Sequence, residues 1–345
     1  MVSKPHGNAA VRQHFLPRFL LRGFSVRQGK KQHYVYEFRG NGVVRRGEVG
    51  TVGFQRRFYG SDDLENNLAD LEGSYASFIQ TLRTSSLDST MKPQIDEFVS
   101  HLIVRTNNLR KGLVQMGRAM AEGMAEQFER VEPGSVLHGT MRQVAHSAET
   151  RATIDREIKK LPAAARPLYQ QMVQEWIDSP LLVEQLRVIS RQAIDMIDIP
   201  KAVRDAQVQI LDGESSIQKR AELLQPFTWR VIEYEPNALV LGDHGPLGQE
   251  KAQTYLRHPI MMEGVTMIYL PISHQRLLVG ARNGGSVKPD PEYLNINSVE
   301  LSQEFFVARE DSTKMRGYLS SIGKRCMLYE PQEMRNLIEE GLKPE

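Results

Sequence analysis

The sequence predicts an α+β fold in which N- and C-terminal strands form one mixed sheet packed against a large central helical region. Three observations predict it. β-Branched and aromatic runs lie at both ends of the chain, apolar residues recur at helical spacing between residues 62 and 225, and Gly, Pro and Asn punctuate the joins. The 345 residues read as a single domain, 1–345. Within it lie a basic β-rich head (1–60), a helical region (61–225) and a β-rich then helical C-terminal part (226–345). A chain of this length buries a sizeable core.

The head begins with Phe15, Leu16, Phe19, Leu20, Leu21 and Phe24 clustered around Pro17. This predicts a short helix starting near the proline, where a missing N–H costs nothing. Residues 32–38 carry Tyr34, Val35, Tyr36 and Phe38; Gly40-Asn41-Gly42 follows as a turn, and residues 43–49 form a second strand, together a β-hairpin. The head holds twelve Lys and Arg against only Glu37 and Glu48, a net +10, so the other 285 residues carry −8 within the chain total of +2.

From Asp62, Leu64, Leu68, Leu71, Tyr75, Phe78 and Leu82 set a helical period, with Asp62 and Glu65 as an N-terminal capping pair. After a break at 87–90, Pro93 opens one long helical pattern through Phe98, Leu102, Leu109 and Phe128, stopped by Glu132-Pro133-Gly134. Met116, Met120 and Met124 in that pattern read as helix core. Pro180, at the first position after Ser179, opens a further helix; Pro200 closes it and Pro226 ends the helical region. Strands are expected at 229–234, 238–241, 265–270 and 276–279, a loop at 283–291, and one helix over 294–320 with Phe305, Phe306 and Val307 as its core.

Several function classes are set aside. The lone Cys326 excludes an intrachain disulfide framework and a multi-cysteine zinc site. No run of about 18 apolar residues exists, and the N-terminus lacks a secretory apolar region, so a cytoplasmic location is expected. There is no His-Glu-x-x-His, Walker A loop, Gly-x-Gly-x-x-Gly after a strand, or Gly-x-Ser-x-Gly elbow.

Four constellations carry chemistry. In residues 13–24, His14 with Arg18 and Arg22 offers an imidazole that titrates near neutrality beside an anion clamp; the bland alternative is a packed histidine with solvated arginines. Asp243, in Gly242-Asp243-His244-Gly245-Pro246 after an apolar strand, sits where a strand end fixes a carboxylate; alternatively it caps its own turn. Glu65 and Glu72, two helical turns apart, form either paired carboxylates or a solvated helix edge. His101 and Arg105, at i and i+4, form either an anion site or a pair in which the arginine meets a nearby glutamate. Asn295, Asn297 and His274 are weaker signals, and Cys326 beside Lys324 and Arg325 reads as incidental.

Taken together, Gln13-His14-x-x-Pro17-Arg18-x-x-Leu21-x-x-Phe24 resembles the opening signature of the bacterial family of domains of unknown function numbered 4238. The order of later elements is similar over residues 12–320: Phe58-Tyr59, spaced glutamates such as Glu65 and Glu72, a helical arginine such as Arg105, an acidic turn at Asp243 to Pro246, Leu270-Pro271-Ile272, and an asparagine before the final helix. The chain departs from the family pattern at Leu20, where tyrosine is common, and in its acidic turn, where Ser-Asp-Asn-Pro is common. The resemblance implies a bacterial or phage-related cytoplasmic protein in a mobile-element or defence setting. It brings no assigned reaction, and it implies that His14, Arg18, Glu72, Arg105 and Asp243 converge in one pocket.

Two readings of function follow. In the first, a nuclease-like phosphodiester enzyme uses His14 as general acid/base and Asp243 and Glu72 as catalytic carboxylates that hold a divalent metal or orient the histidine. Arg18, Arg22, Arg105 and Asn295 would bind substrate. In the second, a non-catalytic sensing or binding module takes nucleic acid, anionic lipid or a protein partner, such as one encoded in the same defence operon, through the basic head. A blander third has the head's cations pairing with acidic helices of the body.

Overall fold

The computed structural model describes residues 12–29, 31–59, 62–129, 142–144, 146–177, 181–212, 214–251, 254–260, 264–282 and 288–327, with 139, 179, 284, 333 and 336 singly. The chain divides into two compact units, Met1–Val114 with Pro200–Leu328, and Gln115–Ile199 with Tyr329–Glu345. The expected helical middle is therefore split: its central part belongs to one unit, and its flanks belong with the strands of the other.

In the first unit β1 (Arg12–His14) pairs antiparallel with β5 (Phe54–Arg56). Between them lie α1 (Arg18–Arg22), with Pro17 at its N-cap, and strands β2 (Val26–Gln28), β3 (Gln32–Arg39) and β4 (Val44–Glu48). The hairpin of β3 and β4 is the expected one. Gly42 has φ +84°, a conformation that costs a side chain with a Cβ, and its N–H closes the turn onto the Arg39 carbonyl at 2.9 Å.

Helix α2 (Asp62–Thr84) follows, then α3 (Lys92–Arg105) and the start of α4 (Asn107–Glu129). The single long helix expected after Pro93 is broken at Thr106, whose backbone is extended (φ −73°, ψ 150°). Its Oγ1 accepts the Leu109 N–H at 3.3 Å, so the threonine caps the second helix where the first ends. After α8 (Ile199–Asp212) and α9 (Glu214–Glu222), the chain returns to strands directly after Pro226.

Those strands are β6 (Phe227–Glu233), β7 (Leu241–Gly242), β8 (Leu247–Glu250), β9 (Val265–Pro271) and β10 (Arg276–Arg282). Helix α10 (Pro291–Leu301), capped by Asp290, leads into β11 (Phe305–Ala308) and the short α11 (Thr313–Gly317). The continuous helix expected over 294–320 is corrected here. Phe305–Ala308 is a strand buried at all four positions. A short apolar run bounded by polar residues has no period that separates a buried strand from a buried helix.

Strands from the N-terminal and C-terminal parts of the chain share a sheet. β11 pairs with β3 from the N-terminus and with β7 from the C-terminal part, while β2 and β4 also pair with β3. Phe38 and Phe306, opposite each other in that register, stack with ring centroids 4.7 Å apart. The C-terminal strands also form a sheet of their own, in the order β6-β10-β9-β8, and each pairing in both sheets is antiparallel.

At Gly280 on β10 an added Cβ would lie 2.5 Å from the Trp229 ring. That indole is held by its own hydrogen bond to Asp96 Oδ1 at 2.6 Å. Gly280→Ala is expected to cost about 1–3 kcal/mol through overpacking. Urea denaturation measures it, and wild-type stability in the variant would mean that the ring can move aside.

The described residues of the second unit are mainly helical: the rest of α4, then α5 (Ala148–Lys159), α6 (Arg166–Ile177) and α7 (Leu181–Asp195). The methionine stripe departs from expectation, since Met120 is 42% and Met124 39% exposed. Amphipathic spacing identified the helix but not how much of its apolar face is covered. Pro180 lies outside the described residues. Among the described residues no helix is long and apolar enough to cross a membrane.

Candidate functional site

The N-terminal motif builds a network rather than an open pocket. β1 carries Gln13 and His14 into the interior, where both are buried. Gln13 Oε1 accepts the Tyr59 N–H at 2.6 Å, which ties the motif to the Phe58-Tyr59 segment. Arg105, at the last turn of α3, is 1% exposed. Its Nη2 lies 2.5 Å from Glu72 Oε1 on α2 and donates to the His14 carbonyl at 2.6 Å. Its Nε donates to the same carbonyl at 3.1 Å and to the Tyr59 hydroxyl at 3.0 Å. Burial works against this charge, but Tyr59 and Glu72 outweigh it, and the guanidinium pKa is raised.

Arg18 is exposed on α1, and its Nε donates to His14 Nε2 at 3.4 Å. In that bond Nε2 is the acceptor, since the guanidinium has only donors to offer. Arg22 is exposed one turn further on. The structure thus links Arg18 to the His14 ring, and Arg105 to the His14 carbonyl, to Tyr59 and to Glu72. Glu72 is engaged by the arginine, the alternative weighed for His101 and Arg105. The side chain of Glu65 lies outside the described residues.

Asp243 and Asn295 belong to a different network. Asp243, 1% exposed, accepts the backbone N–H groups of Gln303 at 2.8 Å, Glu304 at 2.7 Å and Phe305 at 3.2 Å. Burial raises its pKa to about 6, with the three N–H groups pulling the other way. Instead of capping its own turn, it receives the chain leaving α10 and starts β11. Asn295 clamps the segment before β7, accepting the Val240 N–H at 3.1 Å and donating to the Ala238 carbonyl at 2.8 Å. Ser298 Oγ accepts the Gly242 N–H at 3.1 Å and lies 3.1 Å from His244 Nε2.

Reading the sequence missed the partners of these groups. Asn108 Nδ2 donates to the Leu301 carbonyl at 2.7 Å, Asn107 reaches Glu304 Oε1 at 3.3 Å, and Lys111 pairs with Glu304. They tie the first turn of α4 to the segment that Asp243 holds. The signal was present as Thr106-Asn107-Asn108, a polar interruption of an apolar period. Cys326 is partly buried, and burial raises its thiol pKa. Among the described residues no group of three or more His, Cys, Asp or Glu is arranged to hold a metal ion.

The head's surface is cationic. Arg18, Arg22, Arg27, Lys31, Arg45, Arg46, Arg56 and Arg57 are exposed. Its ion pairs between described residues both go to its own Glu37, fully buried on β3, from Arg39 at 2.6 Å and Arg45 at 2.5 Å. Two cations on one carboxylate leave a positive charge over. No body carboxylate pairs with Arg18, Arg22, Arg56 or Arg57 among the described residues. On β4, Arg46 lies over the Tyr34 ring, 4.7 Å from its centroid, and donates to Gln28 Oε1 at 3.0 Å.

These features define an α+β protein whose N-terminal and C-terminal strands meet in one sheet and whose buried Arg105 pairs with Glu72. The chain belongs to the family described as Protein of unknown function (DUF4238), which matches residues 12–311. No curated protein and no solved structure matches the chain.

Proposed function

We propose that the protein is a non-catalytic binding module that takes single-stranded nucleic acid on the basic surface of its N-terminal sheet. The observation that carries this reading is the Arg46–Tyr34 stack on a head where, among the described residues, no body carboxylate pairs with the exposed Arg18, Arg22, Arg56 or Arg57. Single strands are held by cations that follow the phosphates and by aromatic faces on which bases stack. Tyr34 and Tyr36 are both partly exposed on that face of β3, since residues two apart on a strand share a side. The carboxylates proposed for catalysis already have protein partners: Arg105 for Glu72, and three backbone N–H groups for Asp243.

Fluorescence anisotropy with labelled single-stranded RNA and DNA, between 50 and 200 mM salt, tests the reading. Affinity is expected to fall steeply with salt, with a logarithmic slope of about −0.7 per phosphate contacted. Arg46→Ala is expected to weaken binding about tenfold, as loss of one cation and one stacking contact implies. Salt-dependent binding that persists unchanged after Arg45, Arg46, Arg56 and Arg57 are neutralised would overturn it.

One observation favours the nuclease reading: Arg18 is exposed and touches His14 Nε2. Incubation with RNA and DNA, with and without Mg²⁺ or Mn²⁺, tests it. Absence of cleavage, or turnover equal in wild type and His14→Ala, discards it.

A further inference from the structure

A groove of about 620 Å³ lies between α2, α3 and α9, all within the first unit. Its volume falls in the range of small-molecule sites, about 300–1,000 Å³. Helices α3 and α9 pack together, and each gives the groove the same pattern of positions. From α3 come Lys92, Pro93, Asp96 and Glu97; from α9 come Ile217, Gln218, Ala221 and Glu222. At about 100° per residue, positions i, i+1, i+4 and i+5 share one side of a helix. Lys219 and Arg220 fall off that side of α9, so its cations stay out of the groove that Glu222 lines.

Four charged side chains line the groove, and two of them cancel. Lys92 Nζ lies 2.5 Å from Asp96 Oδ2 and donates to the Leu224 carbonyl at 3.4 Å. Asp96 Oδ1 accepts the Trp229 indole N–H at 2.6 Å. Among the described residues no cation pairs with Glu97 or Glu222, so the groove carries a net charge of −2.

Glu97 is also held in place. Tyr75, buried on α2, donates its hydroxyl to Glu97 Oε1 at 2.7 Å. Burial, and then that bond, raise the phenol's pKa, so Tyr75 stays the donor and the carboxylate the acceptor. Oε2 of Glu97 accepts no hydrogen bond among the described residues.

The remaining wall is largely apolar: Leu71 of α2, with Pro93, Ile217 and Ala221. A neutral apolar molecule would cover that wall but strip water from two carboxylates without pairing them. A hydrated metal ion would meet the charge and gain nothing from the wall. The lining matches a ligand with an apolar body and positive ends.

We infer that this groove binds an aliphatic diamine or longer polyamine, its methylenes against Leu71, Pro93, Ile217 and Ala221 and its ammonium groups at Glu97 and Glu222. An ammonium has three donors and no acceptor, so each end makes charge-assisted bonds to a carboxylate. Gln218 adds an amide oxygen to the same lining. The site is separate from the Tyr34–Arg46 surface and stands without it.

Isothermal titration calorimetry of the full chain with putrescine and spermidine, in the absence of nucleic acid, tests the inference. Both amines are expected to bind, and more weakly as salt is added. Glu222→Gln, at an exposed position, is expected to weaken putrescine binding about tenfold through loss of one charge-assisted contact. Glu97→Gln is expected to do the same, while its amide oxygen still accepts the Tyr75 hydroxyl. Butylamine, the same chain with one ammonium, is expected to bind about tenfold more weakly than putrescine. Butane-1,4-diol is expected not to bind.

Ala221→Phe separates a groove from a merely acidic surface. It fills the space and leaves both carboxylates, and it is expected to abolish amine binding, with urea unfolding reporting that the fold is kept. No heat with either amine, or equal affinity in wild type and both glutamine variants, would overturn the inference. Amine binding that survives in Ala221→Phe would also overturn it, by marking the amines as counter-ions of the surface. So would Mg²⁺ that matches putrescine in affinity, because a metal ion has no use for the apolar wall.

Discussion

Glu72→Ala is expected to lower the unfolding free energy by about 3–5 kcal/mol, the range for removing one member of a buried ion pair. Arg105 is almost wholly buried, and Glu72 is the carboxylate paired with it, at 2.5 Å. Its other partners, the Tyr59 hydroxyl and the His14 carbonyl, are dipoles. Without Glu72, a full charge would remain in the core with no other counter-ion among the described residues. The double variant Glu72→Ala, Arg105→Met separates the pair from the stranded charge. It is expected to be more stable than Glu72→Ala alone, because removing both ends of a buried pair is often close to neutral. Recovery stays incomplete, since the His14 carbonyl loses its donor. Urea denaturation measures both variants. A loss under about 1 kcal/mol for Glu72→Ala would rank the contact with surface ion pairs and refute the account of Arg105 as the anchor between β1 and the helices.

Acidification from pH 7 to 4 is expected to destabilise the fold by several kcal/mol, chiefly through buried histidines. His244 is pushed down to about 4 by burial, and His258 to about 3 by burial and then by the nearby His244. His101 lies well below the ordinary value through burial, Arg105 and Arg220, and among the described residues neither of its ring nitrogens has a hydrogen-bond partner. In each case the folded value is below the unfolded 6.5. The unfolded chain therefore takes up protons that the native state refuses. Stability from these rings is complete above pH 6.5 and is lost as pH falls toward the folded values.

Asp243 acts in the opposite sense. Its folded value of about 6 exceeds the ordinary 3.8, so the native state holds that proton more readily and gains on acidification between those limits. Three rings outweigh one carboxylate at about 1.4 kcal/mol per pH unit for each group. The urea midpoint followed from pH 7 to 4.5 checks the sign, and a midpoint that rose on acidification would contradict it. His258→Gln is expected to flatten the dependence, because its amide takes up no proton.

The site was legible residue by residue but not as a map of partners. His14, Arg18, Glu72 and Arg105 were chosen from charge type and spacing, and they do meet. What the spacing could not convey is that Arg105 enters the interior and that Glu72 is its counter-ion. Asp243 was visible as an acid at a strand end. The groups that occupy its oxygens lie about sixty residues later, at Gln303, Glu304 and Phe305. The basic head could be counted from the sequence, yet only the fold sets Arg46 over the Tyr34 ring.

By itself the sequence determined what depends on neighbours a few residues apart. The hairpin of β3 and β4 follows from alternation and a glycine-bearing turn, the start of α1 from Pro17, and the period of α2 from its leucines. The tertiary structure decided whatever depends on distant chain. It made Phe305–Ala308 a central strand because β3 and β7 supply its hydrogen bonds on both sides. It broke a long apolar period at Thr106, and it left Met120 and Met124 exposed on a helix that looked apolar enough to bury them. The physical reason is the same in each case. Backbone propensity and side-chain period act within a turn or a strand, whereas burial, charge pairing and sheet hydrogen bonds belong to pairs of residues that only the folded chain brings together.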